Sequence, residues 1–321
     1  MGRARTIYGA LAAVVLLAVG VPILVPSMAT LVTLILAKSI VVLGIIILLQ
    51  AGQVSFGHAM FFAAGAYTAG FWGRYLGVGD LVGYLLVGTV VATVLGLLVG
   101  LFVVRYREIF FGMLNLAFSM VLWSLLEKMF HYTNGADGIR IPRPRIAGMT
   151  FSPEKFEFVL LGVTLAIAVA ATIATQRYLD SPRGHMLGAI KTNETRLEYL
   201  GISAKRVFWR GYALSAGLCG LGGSVFALTQ GLVTPEMGYW VRSGEIVFIA
   251  VLGGSAHAIG AFIGAFVFSF VKLYAAALLT AWQLVLGLVL IVMVFVAPSG
   301  IFGLIEKRLR AKPAPAQRGA A

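Results

Sequence analysis

The chain is 321 residues long, 60% of them hydrophobic and 12% charged, a balance that excludes a water-soluble globular domain and puts the chain in lipid. Its formal charge of +13 sits in short clusters at the ends of apolar runs, a pattern that orients a membrane protein and argues against a nucleic-acid partner. The single cysteine, Cys219, lies in an apolar run, which excludes an intrachain disulfide or a cysteine-based metal site.

Runs of about 20 apolar residues recur along the chain, each long enough to cross a hydrocarbon core of about 30 Å as a helix. A β-barrel would alternate strictly, whereas 87–104 is apolar on every face. Arg3 and Arg5 precede the first run, 7–27. That run is longer than a typical signal-peptide core and another begins at Ala29, so a retained helix is expected. The next predicted spans are 29–50, 59–76, 81–104, 108–130, 156–175 and 208–230, followed by an interrupted stretch over 244–279 and a last run over 282–298. With Arg3 in the cytoplasm, Arg105, Arg107, the basic segment 177–210 and the tail from Lys307 to Arg318 should share that side. An even number of crossings then separates Arg210 from Lys307, so 244–279 is expected to cross twice, broken near Gly253-Gly254-Ser255. The expected fold is all-α: a bundle of about ten crossings, some broken or tilted, with both termini cytoplasmic. Residues 1–310 form one transmembrane domain in this reading, and 311–321 a disordered cytoplasmic tail.

Two extramembrane segments have content. Residues 131–155 are expected outside, with Thr133-Asn134-Gly135-Ala136-Asp137-Gly138 as a turn-rich stretch. Residues 176–207 are the sizeable cytoplasmic segment between helices. There Ser181-Pro182 reads as an N-cap and first-turn proline and Gly201 as a stop, predicting a helix between them. Met186, Ile190, Leu197 and Leu200 fall within about 80° of arc, with Asn193 among them, and make a narrow apolar stripe. Its cover is expected from outside the chain: either the lipid interface or a docked cytoplasmic protein. A weak internal echo lays Gly57-His58-Ala59 on Ala256-His257-Ala258, as in a structural repeat or by chance.

Groups able to do chemistry are scarce. Asp80, Glu127 and Glu245 lie at or near predicted span ends, and no His-Glu-x-x-His occurs. This disfavours an ion-coupled secondary transporter and an intramembrane enzyme, though backbone-coordinated sodium stays open. No phosphate-binding Gly-x-x-x-x-Gly-Lys-Ser/Thr loop is present, so an ATPase would be a separate partner. No metal or cofactor is expected on this chain. His58 and His257, near helix starts, either bond to backbone or water or line a pore. Lys38 and Lys272, deep in apolar runs, either snorkel or face a polar cavity. Gly52-Gln53-Val54-Ser55-Phe56-Gly57-His58 either lines a route through the protein or forms a turn, with Gly65 and Gly70 allowing close helix packing.

Arg183-Gly184-His185-Met186-Leu187-Gly188-Ala189-Ile190-Lys191-Thr192-Asn193-Glu194, ending in Leu200-Gly201-Ile202, resembles the coupling loop of branched-chain amino acid ABC permeases. Gly52 to Tyr67, Thr133 to Gly138 and Leu252 to Gly264 resemble that family's other motifs in order, and the outer loop resembles the LivM-type subunit more than its LivH-type partner. The resemblance implies a permease subunit of an ATP-driven importer. It would pair with a second, LivH-type permease, two cytoplasmic ATPases that bind ATP and Mg, and a periplasmic solute-binding protein, in a bacterial inner membrane. It implies that Arg183, Gly184, Met186, Ile190, Asn193, Glu194, Leu197, Leu200 and Gly201 couple to the ATPase. Candidate path residues are Gly52, Gln53, Ser55, Gly57, His58, Gly253, Gly254 and His257. Thr195-Arg196-Leu197-Glu198-Tyr199 is bulkier and more charged than the family's usual small residues.

Overall fold

The computed structural model describes residues 2–146, 148–278, 281–297 and 299–310; the tail predicted over 311–321 lies outside them. The described chain is all-α apart from one two-residue strand pair. The helices are α1 (Gly2–Leu24), α2 (Ala29–Gln50), α3 (Ala59–Tyr75), α4 (Leu81–Val103), α5 (Glu108–Lys128), the single turn α6 (Phe130–Thr133) and α7 (Pro153–Leu179). They continue as α8 (Pro182–Tyr199), α9 (Ala204–Gln230), α10 (Trp240–Gly253), α11 (Gly260–Leu278), α12 (Trp282–Val296) and α13 (Gly300–Arg310).

Among the described residues, six stretches are long and apolar enough to cross a membrane: Pro26–Gln50, Leu81–Val103, Glu108–Lys128, Pro153–Leu179, Ala204–Gln230 and Gly260–Leu278. Gly9–Leu24 and Trp282–Met293 are shorter apolar helices. The sequence predicts about ten crossings, so length and composition alone support fewer. Two of the difference, α3 and α10, are short because they start inside the bundle. The backbone N–H of Ala59, first residue of α3, donates to Ser243 Oγ of α10 at 2.8 Å. The turn before α10, Pro235–Gly238, dips inward until the Gly238 carbonyl accepts Ser119 Oγ, well along α5, at 3.0 Å.

α2 and α9 are buried along most of their length and form the centre of the bundle. Lipid supplies no hydrophobic drive between apolar helices, so close packing must come from small residues. A Cβ on Gly65 of α3 would lie 2.0 Å from the Gly220 carbonyl oxygen of α9, and one on Gly220 would lie 2.1 Å from Ala92 Cβ of α4. Ser224 Oγ sits at the same crossing and donates to the Gly65 and Gly220 carbonyls at 3.0 Å each.

At one end of the bundle β1 (Ile139–Arg140) pairs antiparallel with β2 (Leu232–Val233), Ile139 opposite Val233. There Arg74 donates to the Tyr132 carbonyl (2.9 Å) and to Asn134 Oδ1 (3.0 Å), and Asn134 takes a left-handed turn. The other, basic end gathers the α2–α3, α4–α5 and α10–α11 connections around α8. The predicted break in 244–279 falls at Gly254, φ +97°, where α10 ends and before α11 starts. A Cβ on Gly300, at the start of α13, would lie 2.4 Å from Gly254 Cα, so α12 returns the chain to the basic end.

Candidate functional site

The predicted helix at the basic end forms as α8, with Ser181 Oγ accepting the Gly184 N–H at 3.3 Å as its N-cap. It is not one straight helix. Asn193 is non-helical (φ −164°, ψ 100°) and its Oδ1 accepts the Arg196 N–H at 3.1 Å, so it caps a second helical piece. A periodicity of 100° per residue cannot be carried through that break, and the stripe splits. Ile190 is buried and Met186 half-buried. Leu197 is only 5% exposed, packed into the chain's own core, which corrects the expectation that its cover comes from a partner. The exposed apolar tip is Tyr199 and Leu200, 86% and 74% exposed, just before Gly201 turns with φ +76°. Beside α8 runs a groove of about 580 Å³ lined by Tyr178, Arg183, Met186, Ile202, Arg206 and Arg210.

Glu194, expected to couple, is gripped by Arg107 from the α4–α5 turn: Nε to Oε2 at 2.9 Å and Nη2 to Oε1 at 2.7 Å. The guanidinium also lies 4.9 Å over the Phe208 ring of α9. A forked pair of this kind fixes direction as well as distance, so α8 is latched to the α4–α5 turn. Gly52, φ +72°, abuts Lys191 of α8: a Cβ there would lie 2.8 Å from Lys191 Cγ. Gln53 Oε1 accepts the backbone N–H of Glu108 at 2.6 Å, where Glu108 itself holds φ +54°. The start of the α2–α3 connection therefore touches both α8 and the first residue of α5.

Deeper in the same connection the polar atoms satisfy one another. Ser215 Oγ donates to the Gly44 carbonyl at 2.6 Å, so it accepts from His58 Nε2–H at 2.8 Å. The other ring nitrogen, Nδ1, then accepts from Ser55 Oγ at 2.7 Å, and that oxygen accepts the Gly57 N–H at 3.3 Å. Ser55 and His58 are fully buried, and a Cβ on Gly57 would lie 2.1 Å from the Asn115 carbonyl oxygen of α5. These residues tie α2, α3, α5 and α9 together. The Gly253-Gly254 segment does the same for α10, α11 and α13. Near it, buried His257 packs 5.3 Å from the Phe302 ring, with Nδ1 3.9 Å from Glu306 Oε2. Gln50 Nε2 donates to the Ser255 carbonyl (3.1 Å) and Gln176 Oε1 accepts the Ala258 N–H (3.1 Å).

A charged cluster lies at mid-depth. Because α10 starts inside the bundle, Glu245 is not at a span end, as the sequence reading held, but within the helix. It accepts Arg242 Nη1 at 3.1 Å and Lys272 Nζ of α11 at 2.6 Å. Lys38, midway along α2, lies within electrostatic reach of all three. Its ammonium sits 5.8 Å over the Phe268 ring, and that of Lys272 4.6 Å over Trp282. The side chains of Arg242, Glu245 and Lys272 are partly exposed. A lone Lys or Arg at a membrane helix centre costs about 2.5–3.5 kcal/mol on insertion scales, so three cations near one carboxylate need a polar or protein-covered face.

The family described as "Branched-chain amino acid transport system / permease component" matches residues 27–296, most of the chain. The chain belongs to that family. This permease is 26% identical over 283 residues to the high-affinity branched-chain amino acid transport system permease protein LivM of Escherichia coli K12, covering 82% of this chain and 66% of that protein. It is 27% identical over 288 residues to the protein of the same name from Salmonella typhimurium LT2, covering 83% and 68%. The chain thus spans about two thirds of the length of these curated relatives. No solved structure matches it.

Sequence reasoning about this permease found α8 and both glycine-rich connections but missed the residues that hold them. Arg107, Ser215 and Ser243 read as an end-of-span arginine and two ordinary serines. Arg242, three residues before Glu245, had a usable signal, since opposite charges spaced i,i+3 pair on a helix.

Proposed function

We propose that this chain is a membrane subunit of an ATP-binding-cassette importer for branched-chain amino acids or related small polar solutes. It works beside a LivH-type permease, two cytoplasmic ATPases that bind ATP and Mg, and a periplasmic solute-binding protein. The observation that carries the reading is the family match over 27–296. The geometry supports it: α8 is latched to the α4–α5 turn by Arg107–Glu194 and reaches the α2–α3 connection through Lys191 and Gly52. A push on the exposed Tyr199–Leu200 tip would therefore reach several membrane helices at once, moving the bundle between outward-open and inward-open states. The chain supplies no covalent step and no nucleotide site in this account. Residues 1–310 act as one permease domain in a bacterial inner membrane.

The test is uptake of labelled L-leucine into vesicles carrying the assembled transporter. Uptake is expected to require ATP and to persist when ionophores collapse proton and sodium gradients. Loss with the gradients would favour an ion-coupled carrier. Glu245, which α10 places inside the bundle, is ion-paired with both Arg242 and Lys272.

We further propose about ten crossings, with both termini cytoplasmic. Polar ties alternate between the two ends of successive long helices: Gln50–Ser255, Gln176–Ala258 and Arg107–Glu194 at the basic end, Arg74–Asn134 and Asp80–Gly148 at the other. In a Cys219→Ala background, a cysteine at Asp137 is expected to react with an impermeant thiol reagent in intact spheroplasts, and one at Leu200 only after lysis. Reaction of both in intact spheroplasts would break the alternation.

A further inference from the structure

The groove beside α8 is walled by Tyr178 at the end of α7, Arg183 and Met186 of α8, and Arg206, Arg210 and Leu214 of α9, and its volume of about 580 Å³ is that of a ligand site. Three guanidinium groups converge on it and no carboxylate lines it. None of the three has an ion pair or a side-chain hydrogen bond among the described residues, whereas Arg107 and Arg242 are each paired with a carboxylate. The Tyr178 hydroxyl makes no hydrogen bond among the described residues either. It lies within electrostatic reach of Arg183, and a Cβ on Gly211, next to Arg210, would lie 3.6 Å from it. The groove therefore offers donors and positive charge to something the chain does not supply.

Depth decides what can fill it. Arg210 is the last charged residue of α9, and the stretch from Gly211 to Gln230 spans about 30 Å as a helix, the thickness of the hydrocarbon core. Arg206 and Arg210, one turn apart, therefore lie at headgroup level. Leu214, one turn further on the same face and 41% exposed, lies below them among the acyl chains. Half-buried Met186 and Val207 continue the apolar floor between the two levels. A soluble ATPase could reach the arginine end of this groove but not the Leu214 end; a phospholipid reaches both. Basic pockets between membrane helices at a cytoplasmic face hold anionic headgroups, and the arginine fork matches the oxygens of a phosphate.

We propose that this groove holds one anionic phospholipid, its phosphate seated on Arg183, Arg206 and Arg210 beside the Tyr178 hydroxyl and one acyl chain lying along Val207 and Leu214. The groove joins the end of α7, the start of α8 and the α8–α9 turn, so the lipid ties the base of α8 to the two membrane helices that flank it. The site goes beyond the importer reading and does not depend on it.

The experiment uses the purified full chain in detergent with phosphatidylglycerol and phosphatidylcholine of matched acyl chains, and reads bound lipid by native mass spectrometry. Phosphatidylglycerol is expected to be retained at least tenfold better than phosphatidylcholine, and a thousandfold excess of inorganic phosphate to leave it in place. A phosphatidylglycerol with a photoreactive diazirine high on one acyl chain is expected to crosslink within 207–214. Arg206→Gln with Arg210→Gln is expected to lose at least tenfold in retention. Arg196→Gln with Lys205→Gln, the same charge change at the same end but outside the groove, is expected to lose less than twofold. Equal retention of the two lipids, or an equal loss in both double variants, would overturn the site and leave a diffuse basic surface. Displacement by phosphate would overturn the lipid and make the groove a free-anion site. Crosslinks confined to other helices would overturn its place, and these wild-type arms decide even where the glutamine pair fails to insert. Unchanged retention in the glutamine pair, with ATPase recovery lost from the assembled transporter, would overturn it as a protein contact. Lipid binding is read on the chain alone, so its failure leaves the importer reading standing.

Discussion

The double substitution Tyr199→Asp, Leu200→Asp is expected to leave this permease in the membrane at its normal level while ATPase co-purification and solute-stimulated hydrolysis fall at least tenfold. Both side chains are largely exposed, so the fold loses little when they change. Burying a leucine in an interface is worth roughly 1.5–3 kcal/mol, and a carboxylate in its place adds a desolvation penalty. Two such changes at one tip exceed the roughly 1.4 kcal/mol that separates each tenfold step in affinity. Leu197→Asp makes the contrast: Leu197 is in the core, so a carboxylate there should lower the amount of folded chain and not the affinity of what remains. Normal ATPase recovery with the double variant would remove the tip from the docking surface.

Gly65→Leu is expected to deplete the chain from the membrane at least tenfold. The first added carbon would lie 2.0 Å from the Gly220 carbonyl oxygen, and that contact is backbone, which cannot rotate away. The crossing can relieve it only by moving α3 off α9, which would break the Ser224 hydrogen bond to Gly65. Overpacking a well-filled core costs about 1–3 kcal/mol even when side chains can shift, and here they cannot. Gly162→Leu is the control, since nothing lies within 4 Å of the position its Cβ would take. Equal membrane levels for the two variants would show that the α3–α9 crossing does not need its glycines.

Much of this architecture is legible in the sequence where a local signal sits at the element's own boundary. α2 runs over Ala29–Gln50 as predicted, and Ser181-Pro182 starts α8 as its capping chemistry requires. What failed depends on long-range placement. Asn193 has a side chain that caps helices as readily as it sits on one, and only tertiary contact with the core turns Leu197 inward while Leu200 points away. Glu245 reads as lying near a span end, and its depth depends on the Pro235–Gly238 turn dipping to Ser119 of α5, a long-range placement that no local signal carries. His58 was legible as a polar residue near a helix start; its use as a link between Ser55 and Ser215 needed α9 beside it.

The central claim is that this chain is a pore component moved by ATP that other subunits hydrolyse. Its most direct test is ATP hydrolysis by the purified chain alone and after assembly with an ABC ATPase pair and the second permease, in the same liposomes, with and without L-leucine and its binding protein. The expected result is no hydrolysis by the lone chain, and hydrolysis in the assembly that rises with loaded binding protein alongside L-leucine uptake. Turnover by the lone, uncontaminated chain, or uptake by the assembly without ATP, would contradict it.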